Sequence, residues 1–375
     1  MNPQAGGVVE AVNQAATDFN NQNYQMDVLC FDNENSDWLT KKRNYKVFAI
    51  GKGISKYCFK PSYIFWLLKY AKNYDVVIID SLWQFHVAGS YVLHLLKIPY
   101  CIFTHGMLDP YFNKKKFKYI KKLPFWFLIE RHAIAMASAT IFTCQEESLL
   151  AATSFPCYRS HSSIATLGVE GNARSKEYLA CAFLSEFPKL KRKRFAVFLS
   201  RINEKKGIDL LIEALGGVDE LPDDFNLVIA GPDRENLQKK LMERCRVLGI
   251  SERIHWVGML HGDVKWGAYH AAEFFILPSH QENFGIVVAE ALSTATPVLI
   301  TNKVNIWREI DEVNAGLVED DTIDGVKCLL KQWFRLSEID IVNMNQNAMK
   351  CYQENFSVGS AVADLESILI SVTKG

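Results

Sequence analysis

The stretch Glu273-Phe-Phe-Ile-Leu-Pro-Ser-His-Gln-Glu-Asn-Phe-Gly-Ile-Val-Val-Ala-Glu-Ala-Leu292 changes character halfway along. Its first five residues form a short apolar run closed by Pro278, which reads as a strand covered on both faces. A polar turn follows, and near Phe284-Gly285 a helix is predicted to start. Pro297-Val-Leu-Ile300 is a second buried strand. Strand, turn, helix, strand is the repeating unit of a parallel α/β sheet.

The same alternation extends in both directions. Upstream lie Phe195-Ala-Val-Phe-Leu199, Asn226-Leu-Val-Ile-Ala230 and Ile254-His-Trp-Val257. Before those come Met26-Asp-Val-Leu-Cys30, Tyr45-Lys-Val-Phe-Ala-Ile50, Asp75-Val-Val-Ile-Ile79, Pro99-Tyr-Cys-Ile-Phe103 and Ala139-Thr-Ile-Phe-Thr143. With 375 residues, about two domains are expected. The expected fold is α/β: an N-terminal Rossmann-like domain over 1–168, a linker over 169–194 that ends in a basic run, a second Rossmann-like domain over 195–355, and a C-terminal helix over 356–375 that packs back on the first domain. Two such domains place a cleft between the carboxyl ends of their sheets, where ligands of these sheets bind.

Composition excludes several classes. Lys+Arg and Asp+Glu are both 42, which argues against holding nucleic acid by bulk charge. Nine Cys without a Cys-x-x-Cys pair argue against a disulfide framework or zinc cluster and favour a reducing, cytoplasmic compartment. No apolar run reaches the roughly 18–20 residues of a membrane span. The opening residues lack the basic and apolar regions of a secretory signal. They run from Gly6-Gly7 into a helical pattern with no strand in front, so the first strand of the N-terminal domain is expected to be missing.

Candidate chemistry gathers on the turns after strands. Gly285 lets backbone N–H groups approach a phosphate at a helix N-terminus. Glu282 and Glu290 would be roughly 12 Å apart if wholly helical, about the span from a sugar past a diphosphate to a ribose. Glu290 stands in an apolar run, where ribose hydroxyls would satisfy its carboxylate; the alternative is a buried Glu capping a neighbouring backbone group. In Phe198-Leu-Ser-Arg-Ile-Asn-Glu-Lys-Lys-Gly207, Arg201 can fork onto phosphate oxygens and Lys206 can add a point charge, unless this is only a solvated basic turn. Gly231, in Ala230-Gly-Pro-Asp233, permits either a close ligand or a tight structural turn. His105, in Phe103-Thr-His-Gly-Met-Leu-Asp109, would face the cleft from the first domain; a structural role is the other reading. Gly6 and Gly7 suit a loop that lets a diphosphate reach a helix. From Asn113 to Phe127, and chiefly over Lys114–Phe127, lysines and aromatics interleave, which suits an anionic membrane surface or a solvated helix face. Asp-x-Asp, Gly-x-Gly-x-x-Gly and Gly-x-Ser-x-Gly are absent, against a metal-clamped diphosphate, a dehydrogenase and a hydrolase respectively.

In this order, the segments resemble the retaining GT-B glycosyltransferases of family four (glycosyl transferases group 1). The family's E-x(7)-E element corresponds to Glu282–Glu290, its Ser-Arg…Lys-Gly element to Ser200-Arg201 and Lys206-Gly207, its Ala-Gly-Pro turn to Ala230–Pro232, and its His-Gly to His105-Gly106. The resemblance implies transfer from a nucleotide-diphosphate sugar to a glycan or lipid-linked acceptor, without a metal or other cofactor, in bacterial surface-polysaccharide assembly. By the same resemblance Arg201 and Lys206 bind the diphosphate and Glu282 bonds sugar hydroxyls. Asn283, Phe284 and Gly285 present backbone, Glu290 holds the ribose, and His105 contacts the transferred sugar. The implied catalytic set is His105, Glu282, Arg201 and Lys206. The implied location is cytoplasmic, peripheral on the inner face of the plasma membrane. Two departures stand out: Ala295 replaces a family glycine, and the family's first strand is absent. Alternative readings are a catalytically silent sugar-nucleotide-binding protein and another GT-B activity, an epimerase or a phosphorylase.

Overall fold

The computed structural model describes residues 1, 7–22, 24–113, 116–218 and 221–374. The chain divides into two compact units, one of Met1–Gly168 with Gly359–Gly375, the other of Val169–Val358. The strands are β1 (Val28–Cys30), β2 (Val47–Ala49), β3 (Val77–Asp80), β4 (Tyr100–Phe103), β5 (Ala139–Phe142) and β6 (Ser162–Ile164) in the first unit. In the second they are β7 (Arg194–Leu199), β8 (Phe225–Ala230), β9 (Ile254–Gly258), β10 (Phe274–Leu277), β11 (Val298–Thr301) and β12 (Gly316–Glu319).

In the second unit all six strands pair in parallel, in the order β12-β11-β10-β7-β8-β9. β8, β10 and β11 are buried at every residue, as strands with covered faces must be. Aromatics fill the space between sheet and helices: Phe225 stacks on Phe274 at 5.8 Å, and Trp333 lies 4.7 Å from Phe274. Residues 169–194 are not a bare linker. They carry the helix Lys176–Glu186, whose Leu179 and Phe183 are fully buried and whose N-terminus is capped by Ser175. Burying that apolar stripe fixes the segment in the second unit. Gly267 of the helix Gly262–Ala271 gives it room: a Cβ there would fall 2.0 Å from the Leu179 carbonyl oxygen.

The first unit is split. β3-β4-β5-β6 form one parallel sheet, and β1-β2 form a separate parallel pair. The two still share a core, since Leu29, Phe31 and Ile50 pack with Ile79, Ile102 and Trp126. The Tyr74 hydroxyl donates to Asp27 Oδ2 at 2.9 Å, just ahead of β3 and β1. Among the described residues no strand joins β1 to the β3 sheet, and the first element is the helix Gly7–Asn21 with no strand in front of it. The C-terminal helix Val358–Lys374 adds Tyr24 Oη to Glu366 Oε1 at 2.5 Å within this unit. No described helix is long and apolar enough to cross a membrane.

Candidate functional site

β7 and β10 are neighbours, but the chain continues from them to opposite sides of the sheet. Strand order reverses at this point, and it is outside the carboxyl ends at such a reversal that open α/β sheets bind ligands. The Ser200–Gly207 turn follows β7, and the Ser279–Gly285 turn follows β10. The structure brings them together. The Lys206 ammonium bonds the Glu282 carboxylate, and the His280 N–H donates to the Lys205 carbonyl at 2.9 Å. The backbones touch at Gly207, which has φ +65°; a Cβ there would sit 1.8 Å from the Pro278 carbonyl oxygen. Only glycine fits this approach.

Lys206 is buried, with 8% of its side chain exposed. Burial, then the neighbouring charges of Lys205 and Arg201, lower its pKa to about 7. Arg201 is exposed and has no hydrogen-bond or ion-pair partner among the described residues. A free guanidinium beside a partly neutral buried ammonium makes a site for a polyanion.

Glu282 is pinned through its backbone: its N–H donates to Lys303 O at 2.8 Å, and its carbonyl accepts from Asn305 N–H at 3.0 Å. Its carboxylate is therefore aimed from a turn and not from a helix. The helix Ile286–Ser293 begins four residues later, so the wholly helical spacing to Glu290 does not hold. Asn283 lies beside Asn305. Phe284 turns inward, 3% exposed and edge-on to Phe356 at 5.6 Å, which leaves its backbone at the turn. Gly285 has φ +75° at the helix N-cap.

Glu290 is neither unpaired nor capping a backbone group. Lys265 Nζ donates to its Oε1 at 2.6 Å, and the Tyr269 hydroxyl donates to its Oε2 at 3.0 Å. Burial, then the Glu290 charge, raises the Tyr269 pKa, keeping that hydroxyl a donor. Each carboxylate oxygen keeps a second lone pair for a further donor. Gly231 is structural in this geometry: at φ +142°, its missing Cβ would lie 1.8 Å from the Ser200 carbonyl oxygen, so it packs the β8 turn onto the Arg201 turn. Gly7 opens the helix Gly7–Asn21, and Gly6 lies outside the described residues.

In the first unit His105 follows β4, and its side chain is only 4% exposed. Its Nε2 lies 3.0 Å from Asp80 Oδ1 at the end of β3, and its ring stacks on Phe103 at 4.3 Å. Burial lowers its pKa, but the Asp80 carboxylate, with Glu147 behind it, outweighs this, and the net direction is upward. Its backbone is left-handed, φ +46°. Sequence reasoning missed Lys265, Tyr269, Asp80 and Glu147. Lys265 and Tyr269 share a helix face at i, i+4, but nothing in their spacing points to Glu290. Asp80 offered one signal, a carboxylate ending an apolar strand.

Of the basic aromatic segment, Lys114 and Lys115 lie outside the described residues. The helix Lys116–Phe125 runs into a π-helical turn, Trp126–Glu130. The apolar residues are divided. Trp126 is fully buried, while Phe117 and Leu128 are each 69% exposed and Ile120 is 60% exposed.

Two parallel α/β units, with a charged site at a strand-order reversal, define the GT-B class. Residues 183–350 match the model of glycosyl transferases group 1, and residues 5–164 match that of glycosyltransferase family 4. Together these span most of the chain, and the chain belongs to this glycosyltransferase family. An uncharacterized glycosyltransferase of Methanocaldococcus jannaschii is 32% identical over 170 residues, 44% of this chain and 41% of that protein. The phosphatidyl-myo-inositol mannosyltransferase of Mycobacterium leprae is 34% identical over 122 residues, 32% of this chain and 30% of that protein. The matched stretch thus spans less than half of these relatives. HepE of Anabaena, solved in complex with UDP, superposes with a TM-score of 0.74 at 15% identity, covering 99% of this chain and 97% of that one, a likeness of fold.

Proposed function

We propose that the chain is a retaining, metal-independent glycosyltransferase that moves a hexose from a nucleotide-diphosphate sugar to a glycan or lipid-linked acceptor. The observation that carries this reading is the meeting of Lys206 with Glu282 at the β7/β10 reversal, beside unpaired Arg201. Arg201 and Lys206 supply positive charge for the leaving diphosphate, so no metal is invoked. Glu282 accepts from sugar hydroxyls, Asn283–Gly285 present backbone, and Glu290 accepts from the ribose. His105 contacts the transferred sugar. The leaving phosphate oxygen takes the acceptor proton as the acceptor attacks from the same face, through an oxocarbenium-like state. Catalysis is then positioning and charge stabilisation. The UDP complex of HepE supports a nucleotide-sugar donor.

Arg201→Ala and Lys206→Ala are each expected to slow sugar-nucleotide turnover by about 10²–10³-fold. Unchanged turnover in both would remove the anion site. Donor binding without turnover in the wild-type chain would favour the silent binder.

A lipid-linked acceptor, as in bacterial surface-polysaccharide assembly, is supported by the exposed Phe117, Ile120 and Leu128 among lysines. This face suits peripheral attachment to the inner, anionic surface of the plasma membrane from the cytoplasm. Sedimentation with anionic vesicles is its test.

A further inference from the structure

The turn that carries His105 is held from outside by one buried carboxylate. His105 and Gly106 are successive left-handed residues, with φ +46° and +75°. A histidine in that region is strained and persists only where its surroundings fix it. Glu147, 1% exposed, supplies the fixing. Its Oε1 accepts from Thr104 Oγ1 at 2.5 Å and from the Gly106 N–H at 2.6 Å, the residues on either side of His105. Its Oε2 accepts from the Thr143 N–H at 2.8 Å and from Thr143 Oγ1 at 2.6 Å, at the end of β5. Glu147 lies in the first turn of the helix Gln145–Ser154, so a rigid element carries the clamp. The imidazole is then bounded on three sides: Phe103 on its face, Asp80 at its edge, and the clamped turn behind it.

A buried carboxylate is a poor way to gain stability, since apolar packing of the same volume does as well or better. Here one carboxylate oxygen is spent on the turn around His105 and the other on the end of β5, so the clamp ties that turn to the neighbouring strand. We infer that Glu147 is a positioning residue for glycosyl transfer, holding the His105 turn in its left-handed form so that the imidazole stays beside Asp80. The inference rests on the reading that His105 acts in that reaction.

Glu147→Gln, Thr104→Val and His105→Ala separate the two. Thr104→Val keeps the Glu147 carboxylate and its bond to Gly106, and guards against a Gln variant that does not fold. Turnover of UDP-glucose and GDP-mannose gives kcat and KM, and labelled-histidine NMR follows the His105 ring. In Glu147→Gln, kcat is expected to fall about 10²-fold with the donor KM unchanged. In Thr104→Val it is expected to fall about tenfold. In both, the His105 ring signal shifts and its titration moves down toward the ordinary histidine value. Wild-type kcat and an unmoved His105 signal in folded Thr104→Val or Glu147→Gln, with activity lost in His105→Ala, would overturn the Glu147 role and leave the His105 reading standing. Full activity in His105→Ala would overturn both. If neither sugar nucleotide is consumed, the His105 signal alone decides: unchanged, it removes the clamp.

Discussion

Single residues carry more than their type suggests. Ala295 sits where the family resemblance expects glycine, and its φ is +57°. Its N–H donates to Leu292 O at 3.0 Å and the Thr296 N–H to Ala291 O at 3.1 Å, the paired bonds that close a helix with a left-handed residue. The turn therefore has the left-handed shape that glycine suits, with an alanine strained into it. Ala295→Gly is expected to stabilise the chain by about 0.5–1 kcal/mol, read as a rise in Tm; an unchanged or lower Tm would show that the turn bears no strain. At this scale the sequence was half legible. Arg201, Lys206 and Glu282 stood out because they lie on turns after buried strands. Glu290 was found, but its Lys265 and Tyr269 partners were not, because they come from another helix. Asp80 and Glu147 escaped because their role exists only once β3, β4 and β5 lie side by side.

Among elements, burial decided what could be read. The ten strands foreseen are mostly apolar and bounded by polar residues or Gly and Pro. The two that were missed, β6 and β12, are sheet edges; β6 reads Ser-Ser-Ile, with its outer residues exposed. Such strands lack a continuous apolar run, so periodicity offers no signal. The Lys116–Phe125 helix shows the opposite case, a pattern visible but ambiguous. Its composition gave a basic aromatic segment; only packing separates buried Trp126 from exposed Phe117 and Ile120. If that face meets a membrane, the chain sediments with vesicles rich in anionic lipid at low salt, and Phe117→Ser with Ile120→Ser weakens this about tenfold. Failure to sediment at any ionic strength would reject it.

For the whole molecule, the division into two parallel α/β units was legible in the succession of strands, while the split between β1-β2 and the four-stranded sheet was visible only as an absent first strand. The second unit holds the claim on which the functional account depends, that Arg201, Lys206, Glu282 and Glu290 hold one sugar nucleotide. Lys206 gives that claim a signature. With its pKa lowered to about 7, the folded chain releases a proton that the unfolded chain keeps up to the ordinary lysine range. Its ionisation therefore costs stability in full below about 7, and stability rises with pH above that value. A bound diphosphate restores the charge, so binding takes up a proton. The direct measurement is calorimetry with UDP-glucose across pH, on the wild-type chain and on Lys206→Met with Arg201→Ala. Affinity is predicted to fall about tenfold from pH 6 to 8.5 in the wild type, with buffer-dependent heat, and to be weak and flat in the double variant. Equal affinity and equal pH dependence in the two would contradict the account.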